Sequence, residues 1–131
     1  VWAADAARTA TMYKNPLCSC CEGHAAYLRH NGFKVTVITT HELPQLRAQH
    51  GVSEELTGCH MTLIGGYVIE GHMPVGPINR LLNERPKIRG ISLPGMPIGV
   101  PGMEGPRTRP LEVLEIADET DGGEPRVFAV E

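Results

Sequence analysis

The stretch NPLCSCCEGH, residues 15 to 24, crowds three of this chain's four cysteines, Cys18, Cys20 and Cys21, into four positions. The fourth, Cys59, stands in CHM with His60 and Met61, so a thiol, an imidazole and a thioether follow one another. Three chemistries compete for this set. A structural cross-link would join Cys18 to Cys21, or either of them to Cys59, whereas a Cys20–Cys21 bridge would close a strained small ring. Four cysteines admit three complete pairings, but bridges among the local three would staple little chain. Thiol–disulfide exchange suits the C-x-x-C of Cys18 and Cys21, which would be the catalytic pair of such an enzyme. Soft-metal binding suits the whole donor set. Thiolates are shared readily between d10 cations, and Cu(I) accepts two or three of them with imidazole or thioether added. Zinc asks instead for four ligands in a tetrahedron, typically as two well-spaced pairs, a spacing that CSCC…CH lacks. Ligand softness therefore puts Cu(I) first, with exchange second, and a thiolate can serve both.

These donors need elements to hold them. Thr9 to Asn15 reads as a strand running into Pro16. After the cysteines, Ala25, Ala26 and Leu28 have helical spacing, and Asn31-Gly32 is a helix stop. Phe33 to Thr40 alternates and is rich in β-branched residues, which predicts a strand. Leu43 to His50 reads as a short helix closed by Gly51, and Met61 to Gly71 as two strands around Gly65-Gly66. Pro77 to Glu84 carries Ile78, Leu81 and Leu82 on one face and ends before Pro86. The stretch ISLPGMPIGVPGMEGPRTRP is too rich in proline and glycine for regular structure. Leu111 to Ile116 and Arg126 to Val130 then read as a terminal hairpin across the turn DETDGGEP.

A β-α-β unit followed by a hairpin and a helix is the thioredoxin arrangement. The expected fold is a single α/β domain with a central mixed sheet flanked by helices, a long Pro/Gly loop and C-terminal strands. It runs over residues 11–131 after a disordered N-terminal stub, 1–10. In that fold a C-x-x-C opens the first helix, where the helix dipole lowers a thiol pKa. The chain departs from the redox pattern in several places. Leu17 stands where thioredoxins carry tryptophan, and Ser19-Cys20 where they carry Gly-Pro. Met61 stands where they carry the proline that keeps metals off the thiols, and the first strand has no acidic residue.

The bulk properties narrow the partners. The chain has 131 residues, 41% hydrophobic and 21% charged, as a soluble globular domain does. A net charge of −3 with no run of Lys or Arg argues against nucleic acid. No apolar run approaches the length of a membrane span. The small, Ala-rich start VWAADAARTA resembles what remains after a secretory signal is removed, which predicts export.

Taken whole, YKNPLCSCCEGHAAYLRHNGF and TGCHMTLIGGYVIEGHMPVGPINRLLNERPKIRGISLPGMPIGVPGMEG resemble the CopG-type metal-binding proteins, the DUF411 family, over about residues 11 to 116. That resemblance implies an exported bacterial protein with a thioredoxin-like fold, tied to copper resistance. The family's cysteine motif falls on Cys18, Cys20 and Cys21, and its distal cysteine on Cys59. Met61 departs from the small polar residue expected after His60.

Other donors are weighed singly. His60, beside Cys59, is the expected helper ligand. Met61 should share a face with Cys59 by strand alternation, yet methionine in a strand usually packs. His24 lies on the face of the thiols, three residues past Cys21, and is expected at the solvent surface. His72 is expected to cap the next helix or to bond locally. Met96 and Met103 should plug the underside of their loop, Met12 and Met73 should pack, and His30, His41 and His50 should be surface residues. Glu22 and Glu70 flank the site without forming an acid–base pair. The reading is thus a periplasmic protein that holds Cu(I) on Cys18, Cys20, Cys21, Cys59 and His60, as a multinuclear thiolate cluster, for copper resistance. Its partners would be copper ions and other periplasmic copper-handling proteins. The alternative is a thiol–disulfide or copper oxidoreductase using Cys18 and Cys21. In an oxidising compartment those two would close on each other and release metal.

Overall fold

In the computed structural model, residues 8–18, 20–94, 110–117 and 125–131 are described, Cys20 by its backbone alone. Among them, seven strands and three α-helices form a mixed α/β single domain. In chain order these are β1 (Thr9–Lys14), α1 (Cys20–His30), β2 (Lys34–Thr39), α2 (Leu43–Gln49) and a 3-10 turn (Glu54–Leu56). There follow β3 (His60–Ile64), β4 (Tyr67–Glu70), α3 (Val75–Glu84), β5 (Gly90–Ser92), β6 (Glu112–Ile116) and β7 (Val127–Val130). The sheet order is β2-β1-β3-β4-β5-β6-β7. β1 is parallel to β2 and antiparallel to β3, so the chain crosses over through α1 and then folds back as the β3–β4 hairpin.

Local chemistry explains the boundaries. α1 ends where Gly32, at φ 93°, turns left-handed; the Gly32 N–H bonds the Arg29 carbonyl and the Phe33 N–H reaches back to that of Leu28. Phe33 and Leu28 are both buried and lock that turn into the core. α3 begins at Val75, two residues earlier than expected, because a first-turn N–H has no partner within the helix and Pro77 is therefore tolerated there. It stops at Arg85, which is left-handed at φ 50° just before Pro86.

β5 was not expected, since its residues run into the Pro/Gly-rich stretch. Gly90 lets it pair in parallel with β4, because a Cβ there would run into the Val68 carbonyl. The terminal hairpin forms as expected and joins the sheet through β5. Met96, Met103 and the rest of the loop around them lie outside the described residues.

Alternation along the strands sorts the core into two layers. On one face Ala10, Met12, Ile64, Ile69, Ile91 and Val113 pack with Ala25 and Leu28 of α1 and with Ile78 and Leu81 of α3. On the other, Met61, Val68 and Ile116 pack with Leu43 of α2, Val52, and Leu56 of the 3-10 turn. Fully burying an aliphatic side chain of this size is worth about 1.5–3 kcal/mol, so both layers anchor the sheet between them. Among the described residues no helix is long and apolar enough to cross a membrane.

Candidate metal centre

The site forms where the start of α1 meets the start of β3. Asn15 turns the chain out of β1: its side-chain oxygen accepts the Leu17 N–H at 3.0 Å and its carbonyl accepts the Cys18 N–H at 3.0 Å. Lys14 ties the next step down by donating to the Cys18 carbonyl at 3.2 Å. That turn presents Cys18 just ahead of the helix, and the first helical turn places Cys21 beneath it, fully buried. The two are joined by a disulfide with the Cα atoms 5.8 Å apart.

Cys59 approaches from the opposite side, on a bend between Gly58 and β3. Its Sγ lies 3.7 Å from the Sγ of Cys18 and 3.7 Å from that of Cys21. His60 Nδ1 sits 3.1 Å from Cys59 Sγ and 3.2 Å from Cys21 Sγ. The donor atoms of Cys18, Cys21, Cys59 and His60 all lie within 4.8 Å of one another. The Cys20 side chain lies outside the described residues.

Three expectations need correction. His24 is not at the surface but wholly buried. Cys21, His24, Ala25 and Leu28 recur at the i, i+3, i+4, i+7 spacing of a core-facing stripe, a signal the sequence carries. His24 Nδ1 lies 2.7 Å from His60 Nε2, and its Nε2 lies 2.9 Å from the Met73 carbonyl oxygen. Met61 does not share a face with Cys59. The bend at Cys59 interrupts strand alternation, so His60 turns toward the thiols while Met61 packs with Leu43, Val52 and Leu56 on the far face.

His72 does not cap α3, whose N-cap is Pro74 with no side-chain cap. It is buried instead, with Nε2 3.1 Å from Cys59 Sγ. The rings of His24, His60 and His72 stand 4.9 to 5.2 Å apart, centroid to centroid. Burial first, then repulsion from neighbouring rings and, at His60, from Arg47, keeps His24 and His60 from taking up protons. The His24 pKa falls to about 4 despite its bond to the Met73 carbonyl, and that of His60 falls to about 2.

A second group pins the Cys59 bend from the far face of the sheet. Arg47 of α2, partly buried, and Glu70 of β4, fully buried, form an ion pair at 3.0 Å. Glu70 Oε1 accepts the Gly58 N–H at 2.9 Å, and Arg47 donates to the Gly58 carbonyl at 2.9 Å. Burial pushes the Glu70 carboxyl upward, against the pull of Arg47 and of the Gly58 N–H. Gly58 also presses on Gly71, so closely that a Cβ on Gly58 would come within 2.5 Å of the Gly71 Cα. Sequence spacing gave no sign of the Arg47–Glu70 pair, which spans 23 positions.

Once the Cys18–Cys21 disulfide is reduced, thiolates and imidazole converging on one point make a donor set suited to a soft metal ion. The family model described as "Protein of unknown function, DUF411" matches residues 56–103. Two solved structures of a copper resistance protein copG resemble the whole fold. The one called Form 1 has a TM-score of 0.83 at 32% identity, over 94% of this chain and 96% of that one. The one called Form 2 has a TM-score of 0.82 at 32% identity, over 94% of this chain and 97% of that one. No curated protein matches the chain. The chain belongs to the copper resistance protein copG family.

Proposed function

We propose that this protein handles copper in the periplasm. It takes Cu(I) as cargo on the thiolates of Cys18, Cys20, Cys21 and Cys59 with His60, as a multinuclear cluster. The observation that carries this reading is the convergence of Cys18, Cys21, Cys59 and His60 within 4.8 Å. Soft sulfur with a neutral imidazole suits Cu(I) better than harder divalent ions, and the solved relatives are copper resistance proteins. The frame is read as thioredoxin-like, with β1-α1-β2 followed by β3-β4-α3 and Cys18 and Cys21 at the head of the first helix. Such a disulfide belongs to an oxidising compartment, which agrees with export.

The disulfide also favours a second reading, redox work. Reduction of Cys18–Cys21 takes two electrons and two protons and yields two thiols, which lose their protons on taking up metal. Run backwards, oxidation of those two thiols supplies two electrons, enough to reduce two Cu(II) to Cu(I) or to open one partner disulfide. Cys59, at 3.7 Å from both sulfurs, stands where it can exchange with either.

One titration separates the readings. Anaerobically reduced protein should take up more than one Cu(I) per chain with a thiolate-to-copper charge-transfer band, and the disulfide form far less. Equal uptake by both forms would rule out the Cys18 and Cys21 thiolates as ligands. Turnover of a disulfide substrate or of Cu(II) by the reduced protein, leaving Cys18–Cys21 closed, would establish the redox role.

A further inference from the structure

The hydrogen bonds behind the sulfurs admit only one arrangement of protons. A carbonyl oxygen can only accept, so the contact of His24 Nε2 with the Met73 carbonyl at 2.9 Å requires a proton on His24 Nε2. A neutral imidazole carries one proton, so His24 Nδ1 has a lone pair. At 2.7 Å from it, His60 Nε2 must therefore be the donor. His60 then carries its proton on Nε2 and has its lone pair on Nδ1, the atom that faces Cys59 Sγ at 3.1 Å and Cys21 Sγ at 3.2 Å. Both rings are fully buried, which holds them in the neutral forms this chain of bonds needs.

We infer that His24 is a positioning residue: backed by the Met73 carbonyl, it fixes the tautomer of His60 and so keeps the Nδ1 lone pair aimed at the sulfurs. Without that arrangement, His60 would be free to carry its proton on Nδ1, and a protonated nitrogen binds no metal. His72 Nε2 also lies 3.1 Å from Cys59 Sγ. The assignment of the proton stands on the apo chain alone, whereas its effect on copper rests on the function proposed above.

Nitrogen-15 NMR of the imidazoles tests the proton directly. In the disulfide form of the native chain, His60 should show a pyrrole-type Nε2 and a pyridine-type Nδ1. A pyrrole-type Nδ1 would overturn the inference without any variant being made. His24→Leu removes the acceptor and should convert His60 to a mixture of tautomers. His24→Asn, whose side-chain oxygen stands near the place of Nδ1, should restore the native pattern. An unchanged His60 spectrum in a folded His24→Leu protein would also overturn it. In the reduced forms, Cu(I) affinity should fall about 10- to 100-fold in His24→Leu and recover in His24→Asn. If the tautomer shifts as expected while Cu(I) affinity stays level, the relay stands and it is His60 as a copper ligand that fails.

Discussion

His60 and Met61 are neighbours in the chain and stand on opposite faces of the sheet, and the two faces are built from different physics. Around His60 the buried polar groups are imidazoles, of which burial keeps His24 and His60 neutral, with sulfurs and a backbone carbonyl at the end of the chain of bonds. Around Met61 the layer is aliphatic and its polar anchor is a full ion pair, Arg47 with Glu70. The contrast separates tasks. The first face gathers sulfur and imidazole lone pairs, with the Lys14 ammonium at its edge on the Cys18 carbonyl and the Arg47 charge felt through the sheet at His60. The charged face meets no cargo, and its two bonds to Gly58 hold the bend that carries Cys59.

The sharpest way to break this contrast is Cys59→Ser. It should leave the unfolding free energy within about 1 kcal/mol of native, the range of mild substitutions. It should lower Cu(I) affinity by more than ~100-fold and remove much of the charge-transfer band, because a hydroxyl oxygen is a poor ligand for a soft ion. Next in size is Glu70→Ala. It takes the carboxylate from the partly buried Arg47 and the acceptor from the Gly58 N–H, and should cost about 1.5–3 kcal/mol in a denaturant melt. Copper should weaken with it, since the Cys59 bend loses its acceptor. If copper affinity falls with no loss of stability, Glu70 acts on the cargo and the division of tasks fails.

Acid should act on the neutral face. Unfolded histidine takes a proton near pH 6.5, but His24 resists until about 4 and His60 until about 2. Between those values the unfolded chain binds more protons, so stability rises with pH. The metal-free protein should therefore hold full stability above about pH 6.5 and lose it as pH falls toward 4, by about 3 kcal/mol for His24 alone. His24→Asn should flatten that slope in pH-dependent melts. The smallest effect is expected from Met61→Leu, a volume-conserving change on the far face. It should cost less than about 1.5 kcal/mol and leave copper affinity unchanged. A clear loss of copper would return Met61 to the list of donors.

Much of this was legible before any coordinates. Alternation in Phe33–Thr40, the Gly65-Gly66 turn and the Asn31-Gly32 stop placed the early elements within a residue or two, because these signals are local. β5 escaped because three residues hold it by pairing with strands distant in sequence, not by any pattern of their own. At the site, the cysteines announced themselves. His24 lay open to the stripe reading, yet a polar residue in a core stripe is credible only once its partners are known, and those sit 36 and 49 positions away. The face of Met61 was misread because alternation was carried back through a bend at Cys59 that only Gly58 makes room for. Arg47 and Glu70 have no local sign at all, since their pairing exists only when α2 lies across β4.

The contact between Gly58 and Gly71 has a consequence for how this centre can change. The two backbones meet where neither carries a side chain, and Gly71 at φ 82° occupies a conformation that other L-residues resist. Donor atoms around the cavity can be exchanged one for another by substitution. The spacing between the third sulfur and its two companions is set by a pair of bare hydrogens, and no larger residue can adjust it without prying β3 away from the hairpin's far end.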